Sequence, residues 1–130
     1  MAGPGFEDLE LWVPWMRLRE EGASVTVVGI RAGEKYAGKT DLPAHADVGC
    51  EEARADDYDA AVVPGGGAPA KLRRFDGVGR PVREAHLSGK TVGMICHAPL
   101  VGISAGIVRG HAAVGSEGIK DDWVNGRTAW

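Results

Sequence analysis

Cysteine, aromatic side chains and long apolar runs are all scarce in this 130-residue chain, and each scarcity removes a class of function. Two cysteines, Cys50 and Cys96, are too few for a disulfide scaffold, and they show neither metal-type spacing nor a secretory context, so both read as reduced thiols. Aromatics are 6% of the residues, and the 15 Lys and Arg are scattered without aromatic interleaving against 18 Asp and Glu. That pattern argues against a nucleic-acid surface. No apolar run approaches the ~20 residues of a spanning helix. The N-terminus lacks the basic, apolar and small-residue segments of a signal peptide, so a cytoplasmic protein without a membrane partner is expected. His45, His86, His97 and His111 form no pair at helical ligand spacing, and no metal site is expected. The glycine-rich run at 65–67 lacks both the Gly-Lys-Ser/Thr of a phosphate loop and the dinucleotide glycine pattern, so no cofactor is expected.

What remains is a chain 44% hydrophobic and 25% charged with a formal charge of -3, read as one globular domain over residues 1–130. Glu7 to Glu21 places Leu9, Trp12, Val13, Met16 and Leu18 at helix-like intervals, with acids early, Gly22 closing the segment, and Pro14 bending or interrupting it. Ala23 to Ile30 is β-branched and reads as a buried strand. Residues 31–57 carry Gly, Pro, Asp and Lys without a period, which predicts loops around a short hairpin. Asp59 to Pro64 is a second apolar strand, broken by Gly65-Gly66-Gly67 before a helix from Pro69 to Arg74. A further helix follows at Pro81 to Leu87, a third strand at Thr91 to Ile95, and a helix at Ala98 to Ile107. Strands and helices in alternation imply a parallel sheet covered on both faces, with ligands gathering at the strands' C-terminal ends.

Gly65 and Cys96 both fall at such ends. A strand that stops at a thiol where a helix begins lifts the side chain from the sheet, and the helix N-terminus supplies free N–H groups and positive potential that favour thiolate over thiol. A free cysteine is also commonly a buried structural residue, and Cys50, ahead of the polar stretch Glu51 to Asp59, reads that way. A cysteine nucleophile needs a group to manage its proton, donors for the oxyanion, and a pocket for the carbonyl. His97 is the adjacent acid or base, although neighbours in sequence meet only through an unusual turn. The amides of Gly66 and His97 are the candidate oxyanion donors. Glu7 and Glu10 open the first helix, where acids also simply complement the helix dipole.

These residues resemble the ThiJ/PfpI family of class I glutamine-amidotransferase-like folds, and within it the PfpI-type branch. The resemblance rests on Gly5-Phe6-Glu7-Asp8-Leu9-Glu10, on Val62-Val63-Pro64-Gly65-Gly66 with Ala68-Pro69, on Ile95-Cys96-His97-Ala98-Pro99, and on Ile103 to Gly106 through Gly118 to Asp122. It implies a flavodoxin-like α/β sandwich with a mostly parallel sheet. It makes Cys96 the nucleophile, His97 and Glu10 its proton-handling partners, and Gly65, Gly66, Glu7 and Ala98 the oxyanion and substrate-binding surroundings. The implied activity is cofactor-free glyoxalase or deglycase chemistry on a small carbonyl compound or a modified amine or thiol. Peptidase activity, a redox-sensing stress or chaperone role for the same thiol, and a non-catalytic scaffold are the alternatives. A homo-oligomer is implied as well. In peptidase-like members an acid follows Ala-Pro in the glycine turn and serves a neighbouring subunit's histidine, but here that place is Ala70, which weakens the peptidase reading. Members also carry a strand ahead of Gly-Phe-Glu-Asp and further elements beyond the position of Trp130. The resemblance therefore implies a chain truncated at both ends, with reduced stability or recovery of the missing edge through another chain.

Overall fold

The computed structural model describes residues 1–126. Its helices are α1 (Asp8–Glu20), α2 (Ala68–Leu72), α3 (Asp76–Leu87), α4 (Pro99–Ala105) and α5 (Lys120–Asn125), and its strands are β1 (Val28–Gly29), β2 (Lys35–Ala37), β3 (Pro43–His45), β4 (Val48–Gly49), β5 (Ala60–Val63) and β6 (Thr91–Met94). Two strand pairs are parallel, β1 with β4 and β5 with β6, and the latter runs in register from Ala60↔Thr91 to Val63↔Met94. The hairpin expected within 31–57 is β2–β3, antiparallel about Tyr36↔Ala44. This is an α/β architecture, as the alternation of apolar strand and helix patterns predicts.

The core is built around Phe6, Val63, Leu72, Val78, Val82, Val101 and Trp123, all almost wholly buried. In α3 the buried positions Val78, Pro81, Val82 and Ala85 recur at three- and four-residue steps, which aligns them on one face of the helix. That face continues upstream of Pro81, so the helix begins at Asp76, five residues earlier than the sequence pattern suggests. Pro81 is accommodated inside it.

Two expectations need correction. Over Ala23 to Ile30 only Val28↔Val48 and Gly29↔Gly49 form a ladder, because strand identity depends on a hydrogen-bonded neighbour as well as on β-branched composition. The first helix also faces the other way. Leu9 is 66% exposed, Met16 53%, and Val13 and Leu18 are exposed too, whereas Asp8 and Leu11 are its buried residues. Helical periodicity identified the helix, but the inward side is set by what Asp8 and Leu11 meet in three dimensions.

Candidate active site

Cys96 occupies the turn between β6 and α4 with φ of 57°, a left-handed backbone that costs a non-glycine residue about 1–2 kcal/mol. Backbone bonds hold the turn there. Ala98 N donates to Ile95 O at 2.9 Å, Ser116 N donates to Cys96 O at 3.1 Å, and Ile95 N donates to Val63 O at 3.2 Å across the strand ends. Ala98 is fully buried, and Pro99 opens α4 where a missing N–H costs nothing. The same turn makes the two neighbouring side chains meet: Cys96 Sγ lies 3.1 Å from His97 Nδ1. Cys96 is half-buried and is not in a disulfide.

Glu10 arrives from α1 and is anchored by its own chemistry. Its carboxylate accepts the Gly65 N–H at 2.7 Å. A Cβ on Gly65 would stand 2.7 Å from Glu10 Oε2 and 2.8 Å from Cys96 Cβ, so the carboxylate and the cysteine flank one spot that only glycine leaves open. Gly66 has φ of 73°, and a side chain there would press on Glu7 N at 2.5 Å and Gly5 O at 2.7 Å. These glycines let the segment before α1 dock directly on the turn after β5. Phe6 bridges antiparallel to Gly66 and parallel to Gly38, Glu7 N donates to Gly65 O at 3.2 Å, and Gly67 N donates to Gly5 O at 2.8 Å.

Glu7 sits beside the same turn and pairs with Lys39 at 3.2 Å. Asp8, 2% exposed, accepts the backbone N–H groups of Thr40 at 2.9 Å and Leu42 at 3.0 Å. Its burial by itself would raise the carboxyl pKa, but the Thr40 and Leu42 bonds outweigh that and hold it below the usual carboxylate range. Sequence patterning did not single out Asp8 or the segment at 115–118. A Cβ built on Gly118 would lie 3.5 Å from His97 Nε2 and 3.7 Å from Ser116 Oγ, so this segment walls the imidazole. The signal for Asp8 is an acid in the first turn of a helical stripe, and nothing in the sequence names its loop partner.

Cys50 is a different kind of thiol. It is buried, its Sγ donates to Ile30 O at 3.5 Å, and burial with the nearby Glu51 carboxylate pushes its pKa up. Ala70 is exposed on α2 and brings no carboxylate toward His97. Among the described residues, no group of three His, Cys, Asp or Glu side chains is placed to hold a metal ion. Among the described residues, no helix is long and apolar enough to cross a membrane.

Comparison with known proteins places the chain among named relatives and solved structures. The chain is 39% identical over its full length to a deglycase of Pyrococcus abyssi, spanning 78% of that protein, and 37% identical over 96% of its length to the deglycase PfpI of Pyrococcus furiosus, spanning 75% of it. A crystal structure of a two-domain protein from Anabaena variabilis, containing DJ-1/ThiJ/PfpI-like and ferritin-like domains, superposes with a TM-score of 0.95 at 40% identity. The match covers 98% of this chain and 37% of that one. The sequence model of the DJ-1/PfpI family matches residues 1–130, and the chain belongs to that family.

Proposed function

We propose that the protein is a cysteine-dependent, cofactor-free enzyme that acts on reactive dicarbonyls or on their adducts with amines and thiols. The observation that carries this reading is the convergence of three groups on one turn: Cys96 Sγ at 3.1 Å from His97 Nδ1, with the Glu10 carboxylate fixed on the Gly65 amide beside the cysteine. The naming of relatives at 37–39% identity as deglycases supports the same class.

In this reading the Cys96 sulfur adds to an aldehyde carbon as its thiolate, a carbon–sulfur bond forms, and the carbonyl electron pair moves onto oxygen. The Gly66 and His97 amides stabilise that oxyanion, and His97 receives the thiol proton. Glu10, fixed by a single strong hydrogen bond with its second oxygen unengaged by Gly65, moves the proton that must leave or join the substrate carbon. Glu7 and Ala98 shape the surroundings. A homo-oligomer is part of the proposal by resemblance alone, and sedimentation velocity tests it.

The test is D-lactate production from methylglyoxal, and release of free amine from a methylglyoxal-modified amino acid, by the wild type, Cys96→Ala and Glu10→Gln. We expect both variants to lose at least 100-fold in kcat/KM. Equal rates in wild type and Cys96→Ala would overturn the enzymatic reading.

A further inference from the structure

A cleft of about 260 Å3 opens between α3 and the later half of α4, beyond the end of α4 that adjoins Cys96. Val101 and Ala105, both buried, give it an apolar floor, while its walls carry three guanidiniums, Arg73, Arg80 and Arg83, against one carboxylate, Asp76. Two of the guanidiniums are pinned from behind. Arg73 donates through Nε to Ser104 Oγ at 2.9 Å and through Nη1 to Asp122 at 3.2 Å, and Arg80 donates through Nη2 to the carbonyls of Cys50 at 2.9 Å and Glu51 at 2.7 Å. Glu84 stands 3.6 Å from Arg80 Nη1, beyond good hydrogen-bond range. A guanidinium has five N–H groups, so each keeps donors to spare and has already lost the freedom that ligand binding would take. Ser104 Oγ accepts from Arg73, which leaves its own O–H proton for another acceptor.

The other two charges of the lining are unengaged. Among the described residues, the exposed side chains of Arg83 and Asp76 make no hydrogen bond and no ion pair. They lie seven positions apart on α3, which puts them on one face about two turns, ~10 Å, from each other. The cleft therefore has a basic end and an acidic end. A Cβ built on Gly106 would stand 3.9 Å from Arg83 Nη1, so this guanidinium leans across toward the close of α4. Phe75, 45% exposed and in contact with no other ring among the described residues, lines the acidic end beside Asp76.

We propose that this cleft binds a small sugar phosphate, its phosphate held by Arg83, the spare donors of Arg80 and Arg73 and the Ser104 hydroxyl, its ring lying against Phe75 with a hydroxyl on Asp76. A phosphate monoester carries about −1.5 to −2 charge at neutral pH and three strong acceptor oxygens, which suits converging guanidiniums better than a carboxylate does. Asp76 repels a second anion and accepts hydrogen bonds, so the far end of the ligand must bring uncharged donors, as sugar hydroxyls are. The volume is below the range of drug-sized sites, which limits the body to a single ring. Binding here does not depend on the reaction proposed for Cys96.

The experiment is isothermal titration calorimetry of the 130-residue chain in a phosphate-free buffer of low ionic strength, with glucose 6-phosphate and inorganic phosphate as probes. We expect one glucose 6-phosphate per chain and inorganic phosphate at least tenfold weaker. Arg83→Gln should weaken glucose 6-phosphate at least tenfold. Asp76→Asn should weaken it at least threefold while leaving inorganic phosphate as tight or tighter, because the variant loses an acceptor for the sugar and a repulsion for the anion. Both side chains are exposed and unpaired, so both variants should keep the wild-type Tm. Cys96→Ala should bind as the wild type does. The proposal is overturned if millimolar glucose 6-phosphate gives no binding, if either Arg83→Gln or Asp76→Asn binds it as tightly as the wild type, or if inorganic phosphate matches it. Loss of binding in Cys96→Ala overturns it equally, since the anion would then sit in the cysteine turn.

Discussion

At the scale of single residues, the site depends on two glycines and a strained cysteine. A methyl group at Gly65 would collide with Glu10 Oε2 and Cys96 Cβ, so Gly65→Ala should lower kcat/KM about 100-fold while leaving the circular dichroism spectrum near that of wild type, since misplacing a reacting group by an ångström has that kind of cost. Gly66→Ala adds a left-handed strain and a clash with backbone atoms of Glu7 and Gly5 that cannot rotate away. It should destabilise the fold by at least about 2 kcal/mol, read from the urea midpoint. Asp8 gives a pH signature. Its folded-state pKa is depressed, so its contribution is present at neutral pH and is lost as pH falls through the acidic range below about 4. Asp8→Asn should therefore flatten the acid limb of the Tm-versus-pH curve. Cys96 and the glycine turn were legible in the sequence, because a thiol at a strand end and a glycine break after an apolar run each carry a local reason, whereas Glu10, whose partner Gly65 lies 55 positions away, entered only through the family resemblance. Asp8, Lys39 and the wall at 115–118 were not legible, since each is defined by a partner more than 15 positions away.

At the scale of elements, periodicity located the helices better than it oriented them. In α1 the positions Leu9, Val13 and Met16 repeat at helical steps yet face outward, and the inward side is that of Asp8 and Leu11. The two sides separate cleanly by mutation. Leu9→Lys should change stability by no more than ~0.5 kcal/mol, whereas Leu11→Lys, which forces an ammonium among apolar side chains, should cost several kcal/mol or prevent folding. Chemical denaturation of the two variants measures both. The strand at 23–30 was recognisable by its β-branched residues, but its ladder is short because composition says nothing about which neighbour will pair. The parallel direction of β5 and β6, by contrast, follows from two apolar runs separated by a helical crossover, a pattern readable from one sequence.

At the scale of the whole molecule, the α/β layering delivers β5 and β6 side by side, so that their C-terminal ends present the glycine turn and the cysteine turn to each other and α1 brings the Glu10 carboxylate to both. The N-terminal amine is part of that frame. Burial lowers its pKa from 8.0 to about 5, so the unfolded chain binds an extra proton between those values, and stability falls as pH drops from 8 to 5. The Met1 amine donates to Val62 O at 2.7 Å, and acetylating it keeps one N–H for that carbonyl while removing the titration. It should raise the Tm most at pH 5 to 6 and leave the curve nearly flat across that window. The central claim remains the reactivity of one sulfur, and the most direct measurement is the rate of iodoacetamide alkylation at pH 7, followed by intact mass and peptide mapping beside free glutathione. We expect Cys96 to be modified at least tenfold faster than glutathione, and Cys50 to stay unmodified while the protein is folded. Modification of Cys96 no faster than glutathione, or of Cys50 first, would contradict the account.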